Sequence, residues 1–281
     1  MEQPAPTEQL RTFETQDAAE IFRRGAAMRA EWLGPATHRM LALAGIRAGS
    51  HVIDVAAGTG EQTIEAARLV GPSGHVLATD ISAAMLDVAA AMARELGLAN
   101  VETRTADAQD LGLEPDSFDA AISRLGLMFI PDLARGLSQV KATLKQGGKF
   151  AAIVWGSAEN NPYLSVTGAV LRQRHEAANL PPRPFVAHVL GEPETLAGAL
   201  QSAGFHAVDV LPISHTRRFS SAAQAVQAVI DEVLTMRALA TDLEETDRAA
   251  ALAEAATGLR QFEGPAGVEI PGEMLLGVGT K

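Results

Sequence analysis

Carboxylates and glycines stand at regular places along the first half of the chain. Asp54 closes the apolar run in HVIDVAAGTGEQT, and Gly58-Thr59-Gly60 follows it. Asp80 closes the next run, HVLATD, and Asp107 lies in TADAQDL. An apolar strand, a glycine turn and a helix-ready segment place the free amides of a helix N-terminus above the turn, where nucleotides are commonly cradled. Asp80 comes 20 residues after Gly60, where an acidic residue accepts hydrogen bonds from ribose hydroxyls in dinucleotide folds. The plainer reading of Asp80 is a neighbour of a helix cap at Ser82.

A nicotinamide dinucleotide fits these residues poorly. The fingerprint G-x-G-x-x-G needs glycine at 63, where Thr63 stands. Asp54 just before the turn is a poor neighbour for a pyrophosphate. The sole tyrosine, Tyr163, has no lysine four residues on, so a Tyr–Lys proton relay is missing. S-adenosylmethionine fits better, because it has ribose and adenine but no phosphate. Asp54 can lie near its ammonium, the Gly58–Gly60 turn near its amino-acid part, and Asp80 at the ribose diol. Asp107 is placed to accept from the adenine amino group while the Ala108 amide donates to a ring nitrogen.

These residues need a scaffold of alternating strands and helices. Strands are predicted at Val52–Val55, His75–Thr79, Val101–Thr105, Phe118–Ser123 and Lys149–Trp155. Helices are predicted at Glu61–Val70, Ser82–Leu96 and Asp132–Leu144, the last stopped by Gly147-Gly148. This alternation implies right-handed crossovers and a parallel sheet covered on both faces. Ahead of it, residues 17–45 read as helix broken near Gly34-Pro35, after a polar, frayed stretch at 1–16. Beyond Trp155 the rhythm breaks into a Pro-rich insertion at 156–192 with a helix near Val166–Glu176. Then come a helix at Glu194–Ala203, a strand at Phe205–Ile213, an amphipathic helix around Val226–Val233, a helix at about 243–258 and a last strand at Glu273–Gly279.

Bulk composition narrows the partners. The 281 residues are 47% hydrophobic, carry a formal net charge of −11 and contain no cysteine. The missing cysteine excludes disulfides, zinc–thiolate sites and a cysteine nucleophile. Basic residues are scattered and aromatics number only nine Phe, two Trp and one Tyr, so nucleic acid is not an expected partner. No run approaches the ~18–20 apolar residues of a membrane span, and the first residues do not read as a signal peptide. A cytoplasmic protein with a small-molecule substrate is expected, with a homodimer left open.

VIDVAAGTGE, ATDIS, ADAQDL, FDAAISRLGLMFIPD and LKQGGKFAAIVWG resemble, in order and spacing, the successive motifs of class I S-adenosylmethionine-dependent methyltransferases over about residues 40–156. The similarity is greatest to the ubiquinone/menaquinone C-methyltransferase-like group and its small-molecule relatives. It implies an α/β, Rossmann-like, doubly wound seven-stranded sheet with the last strand antiparallel, carrying helical lid insertions. It also implies a cofactor site at Asp54, Ala56, Gly58, Gly60, Asp80, Ile81, Met85, Asp107, Ala108 and Ser123, with S-adenosylhomocysteine as product. Ala56 replaces the usual glycine and is tolerable only with a negative φ.

The domain plan that follows is a helical lid segment at 1–45 and a methyltransferase domain at 46–281, roofed at about 156–192 and 219–262. Ser123-Arg124-Leu125 at the fourth strand end replaces both the Asn/Asp-Pro-Pro-Tyr/Phe motif of amino-methyltransferases and the metal-binding aspartate of catechol-type enzymes. A metal-free transfer to a small, mostly apolar acceptor remains, on carbon, oxygen or nitrogen, with carbon or oxygen preferred. His188 is the candidate base. Phe22, Met28, Trp32, Arg124, Trp155 and Phe185 are candidates for the acceptor side, Arg124 supplying an orienting charge. The competing readings are an NAD(P)-dependent oxidoreductase and an inactive S-adenosylmethionine-binding module.

Overall fold

The computed structural model describes residues 12–183 and 185–281. Its strands are β1 (His51–Val55), β2 (His75–Asp80), β3 (Val101–Thr105), β4 (Phe118–Arg124), β5 (Leu144–Trp155), β6 (His206–Phe219), β7 (Glu263–Gly264) and β8 (Gly267–Thr280). They form one sheet in the order β3-β2-β1-β4-β5-β8-β6, with β7 pairing off this path to β8. Strands β1 to β5 pair in parallel, and β8 runs antiparallel between β5 and β6. The expected antiparallel last strand is β8. The eighth strand is the two-residue β7, a hairpin arm ahead of it. Strand order reverses between β1 and β4, and the carboxyl ends of these strands frame the crevice where ligands bind in open α/β sheets.

The β-strand alternation sorts side chains to two faces. Val52, Ile122 and Ile153 join the core under α1 (Gln16–Leu43) and α2 (Glu61–Val70), with Leu33, Met40 and Val70. Ile53, Val55, Phe150 and Val154 join the opposite core, with Leu137 and Val140 of α4 (Leu133–Thr143) and Leu196 and Leu200 of α6 (Pro193–Ser202). Asp54 shares the Val52 face and so points toward α2. Helix α3 (Ala83–Glu95) starts as expected: Ser82 Oγ accepts from Met85 N, and Gly97 follows its end with φ +69°.

Several elements differ from the sequence reading, β8 among them, which begins six residues before the expected Glu273. Helix α1 runs unbroken through Gly34-Pro35, because Leu33, Ala36, Thr37, Met40 and Leu41 are buried along one side; this packing outweighs the missing amide of Pro35. Helix α4 ends at Thr143, and Gly147-Gly148 lies inside β5, beside a register shift against β4. Strand β6 continues six residues past Ile213, with Arg217 turned inward between exposed Thr216 and Arg218. An additional helix, α8 (Leu234–Asp242), separates α7 (Ala222–Glu232) from α9 (Glu245–Leu259). Most of the expected frayed N-terminus lies outside the described residues, but Phe13 is packed, its ring 4.9 Å from Phe129.

The first helix after β5 and the helices after β6 form one layer. Helix α5 (Pro162–Ala177) shares a core with α7, α8 and α9 through Leu164, Leu171, Val229, Met236, Leu239 and Leu259. No helix among the described residues is long and apolar enough to cross a membrane.

Candidate active site

The glycine turn is built from beneath. Asp54 is fully buried. Its Oδ1 accepts from Gln62 Nε2 at 3.2 Å and its Oδ2 from Thr63 Oγ1 at 2.6 Å. Gln62 Nε2 also donates to the Ala57 carbonyl at 3.0 Å, so Asp54 and Gln62 together staple the turn to α2. Burial pushes the Asp54 carboxyl up to about 7, against the hydrogen bonds from Thr63 and Gln62 that favour its charged form. Asp54 therefore stands behind the turn and does not wall the cavity described below. Gly60 has φ +81°, and a Cβ there would lie 2.6 Å from the Ala89 Cβ, so only glycine fits.

Ala56 departs from the expected negative φ: its φ is +56°. A left-handed alanine costs about 1–2 kcal/mol relative to its ordinary conformations. Its methyl occupies space left by Gly126, where a Cβ would come within 2.5 Å of it.

Above the turn lie two adjoining cavities of about 150 and 60 Å³, which share Ala56, Asp80, Ile81, Gly126 and Phe129. The smaller is an apolar slot between Ala106, Ala108 and Ile130, with Asp107 at its rim. Asp107 is held by Gln109, whose backbone N donates to Oδ1 at 2.8 Å. Asp80 sits where the cavities meet. Its Oδ2 accepts from Gly58 N at 2.8 Å and its Oδ1 from Ser82 N at 2.9 Å. Burial raises its pKa, opposed by these amides. Two anchored oxygens at a fixed height above the turn suit a ribose diol, and the slot with one carboxylate at its rim suits a purine bearing an amino group. Met85 lines the larger cavity with Ile81. Ser123 lines neither cavity; it is fully buried and its Oγ has no partner.

The larger cavity is roofed by Phe13 and by Phe22, Arg29 and Leu33 of α1. Arg29 lies over the Phe22 ring at 5.0 Å and pairs with Glu61. Arg124 pairs with the same carboxylate at 2.7 Å and donates to Thr37 Oγ1 at 3.1 Å. Thr59 Oγ1 donates to Glu61 at 2.9 Å. Burial would raise the Glu61 pKa, but the two guanidiniums outweigh it and hold the carboxyl low. Arg124 is thus partnered within the cavity wall. Two guanidiniums on one carboxylate leave one positive charge uncompensated there.

The remaining candidates gather elsewhere. Trp32 stacks on Trp155 at 5.4 Å and on His215 at 5.1 Å, and Met28 Sδ lies 3.8 Å from Arg217. Phe185 packs edge-on against His188, under Arg172. His188 Nδ1 donates to the Gly156 carbonyl at 2.7 Å, which leaves Nε2 as the bare lone pair; that atom is buried and unpartnered. Burial lowers the His188 pKa despite the hydrogen bond. Neither Trp155 nor His188 lines the cavities, although both stand at the ligand-side end of β5.

The methyltransferase domain family matches residues 46–181, which hold the turn, Asp80, Asp107 and Arg124. Over 175 residues the chain is 30% identical to a ubiquinone/menaquinone biosynthesis C-methyltransferase of Teredinibacter turnerae, covering 58% of this chain and 70% of that protein. The chain belongs to the class I S-adenosylmethionine-dependent methyltransferases. A relative of the same description from Hahella chejuensis is 37% identical over 43% of this chain, and the match spans 49% of that protein's length. A crystal structure of a putative methyltransferase from Bacillus halodurans shares the fold at a TM-score of 0.62 and 19% identity, covering 87% of this chain and 98% of that one. In this chain, Arg29, Thr59, Glu61 and Phe129 are wall residues that sequence reasoning missed. Of these, Glu61, the first residue of α2 beside the glycine turn, is the one its spacing could have pointed to.

Proposed function

We propose that this chain transfers the methyl group of S-adenosylmethionine to a small, mostly apolar acceptor, on carbon or oxygen and without a metal ion. The observation that carries this reading is the larger cavity. It lies at the strand-order reversal, adjoins the purine-shaped slot and is roofed by Phe13, Phe22 and Leu33. The relatives' description as C-methyltransferases supports carbon as the site of transfer.

Bound S-adenosylmethionine supplies a methyl group on a sulfonium, an activated leaving group. The protein's contribution is then position and exclusion of water, worth ~7–11 kcal/mol in well-oriented reactions. Asp80 fixes the ribose, Asp107 and Ala108 the adenine edge, and the Gly58–Gly60 turn the amino-acid part. The Arg29–Glu61–Arg124 bridge ties α1 over the turn. We assign α1 to a lid and the α5 and α7–α9 layer to the roof. An acceptor that loses a proton needs a base. His188 is proposed for this role, because its hydrogen bond to Gly156 fixes the tautomer with Nε2 free.

The test is a labelled-methyl transfer screen across alkylphenols, quinols and prenylated rings, with tRNA, DNA and protein as comparators. Turnover confined to the apolar small molecules supports the reading. Turnover of nucleic acid or protein alone would overturn it.

A further inference from the structure

Among the described residues, four charged side chains line the larger cavity: Arg29, Glu61, Asp80 and Arg124. Asp80 stands at the junction with the smaller cavity, its oxygens held by Gly58 N and Ser82 N. The other three meet at the turn, where the single carboxylate of Glu61 serves both guanidiniums. Buried charge is costly unless it is paired, so the surplus positive charge calls for an anion. The two guanidiniums differ in what they leave free. Arg124 uses both terminal nitrogens inside the wall, Nη1 on Thr37 Oγ1 and Nη2 on Glu61. The contacts of Arg29, to the Phe22 carbonyl, Thr59 Oγ1 and Glu61, all leave from Nη2. Its Nη1 makes no hydrogen bond among the described residues.

Gly25, one turn before Arg29 on α1, leaves room for that nitrogen: a Cβ at Gly25 would lie 2.7 Å from Arg29 Nη1. Glycine inside a helix is destabilising relative to alanine, and this one keeps Nη1 unobstructed. S-adenosylmethionine has a single anionic group, the carboxylate of its amino-acid part, and the reading above sets that part at the Gly58–Gly60 turn. Arg29 Nη2 lies 3.5 Å from Thr59 Oγ1 of that turn.

We propose that Arg29 Nη1 receives the cofactor's carboxylate, so that the cofactor itself fastens α1 over the cavity. The inference rests on the cofactor placement above and adds to it a residue on the lid. Arg29 keeps Glu61 through Nη2 while Nη1 donates to the carboxylate, since a guanidinium offers five N–H donors in a fixed fork and can serve two anions at once. The bond is charge-assisted at both ends and removes the surplus positive charge of the wall. Helix α1 then closes firmly only over a cofactor that carries its carboxylate.

Calorimetry compares S-adenosylhomocysteine with decarboxylated S-adenosylhomocysteine, which keeps the amine and lacks the carboxylate. Wild type is expected to bind the intact compound about ten- to a hundred-fold more tightly, as a hydrogen bond between charged groups provides. Arg29→Gln should erase most of this margin by weakening the intact compound alone; unchanged binding of the decarboxylated one shows that the variant's site is folded. Arg29→Lys, which keeps the charge, should retain part of the margin. Gly25→Ala, a favourable change for the helix that crowds Nη1, should narrow it several-fold. Hydrogen exchange of the α1 amides should be slower with the intact compound than with the decarboxylated one at equal saturation. A margin unchanged in both Arg29→Gln and Gly25→Ala, or a loss equal for the two ligands, would overturn the assignment and leave Arg29 a packing residue of the lid. Arg29→Gln could instead keep the cofactor margin and erase a preference of S-adenosylhomocysteine-loaded protein for para-propylbenzoate over propylbenzene; the carboxylate would then be the acceptor's, and the proposal falls. Wild type that binds no S-adenosylhomocysteine overturns the cofactor reading itself, whereas binding with a margin independent of Arg29 overturns this inference alone.

Discussion

Replacing Asp54 with asparagine should change how stability depends on pH. Asp54 is wholly buried, its hydrogen-bond partners Gln62 and Thr63 are neutral, and it titrates at about 7 in place of its ordinary 3.8. Its folded-state pKa is raised, so its favourable contribution is complete below about pH 4 and is lost as pH rises to about 7. A shift of that size corresponds to roughly 4 kcal/mol, at ~1.4 kcal/mol per unit. The asparagine side chain would stay neutral throughout and keep both contacts: Gln62 still donates to the amide oxygen, and the Thr63 hydroxyl can turn to accept from the amide nitrogen. Urea unfolding of wild type and Asp54→Asn across pH 4–8 measures the difference. The variant should match wild type near pH 4 and gain on it steadily to about pH 7, then hold level. A constant difference, or an advantage for wild type that grows with pH, would refute the burial argument and show Asp54 to be ionised in the fold.

Three further outcomes follow from the site. Glu61→Gln leaves Arg29 and Arg124 opposed inside the wall, and should lower stability by about 3–5 kcal/mol in urea unfolding; a loss under about 1 kcal/mol, the range of exposed pairs, would show that solvent screens the bridge. Asp107→Asn can still accept from an adenine amino group, so calorimetry should find it binding S-adenosylhomocysteine more tightly than Asp107→Ala, and equal binding by both would move adenine elsewhere. His188→Gln should reduce kcat by ~10²–10⁴ with cofactor affinity unchanged, whereas an unaltered kcat would remove His188 from proton transfer.

Much of the scaffold was legible because local signals agreed with tertiary packing. Helix α2 and strand β3 fall where the sequence places them, and Asp80 and Asp107 stand at the cavities as their strand ends require. The misses have physical causes. Gly34-Pro35 reads as a break because local propensity cannot register the buried side of α1. Strand β6 was cut short because Ser214–Arg218 is polar, though alternate exposure around Arg217 marks a strand with an inward charge. Arg29 and Glu61 meet across 32 residues of sequence, a pairing that no local pattern specifies. Arg124 stands at the end of β4 beside the cavity, yet only the fold reveals Glu61 and Thr37 as its partners. Asp54 faces α2 because of strand alternation, which was available in the sequence and was outweighed by its nearness to the turn.

The central claim is that the crevice beside Asp80 holds S-adenosylmethionine. Calorimetry with S-adenosylhomocysteine and with NAD, on wild type and on folded Asp80→Ala, tests it most directly. Wild type should bind S-adenosylhomocysteine and not NAD, and Asp80→Ala should lose about 1.5–3 kcal/mol of that binding, as expected for hydrogen bonds to a charged group. Unchanged affinity in Asp80→Ala, or a preference for NAD, would contradict the account.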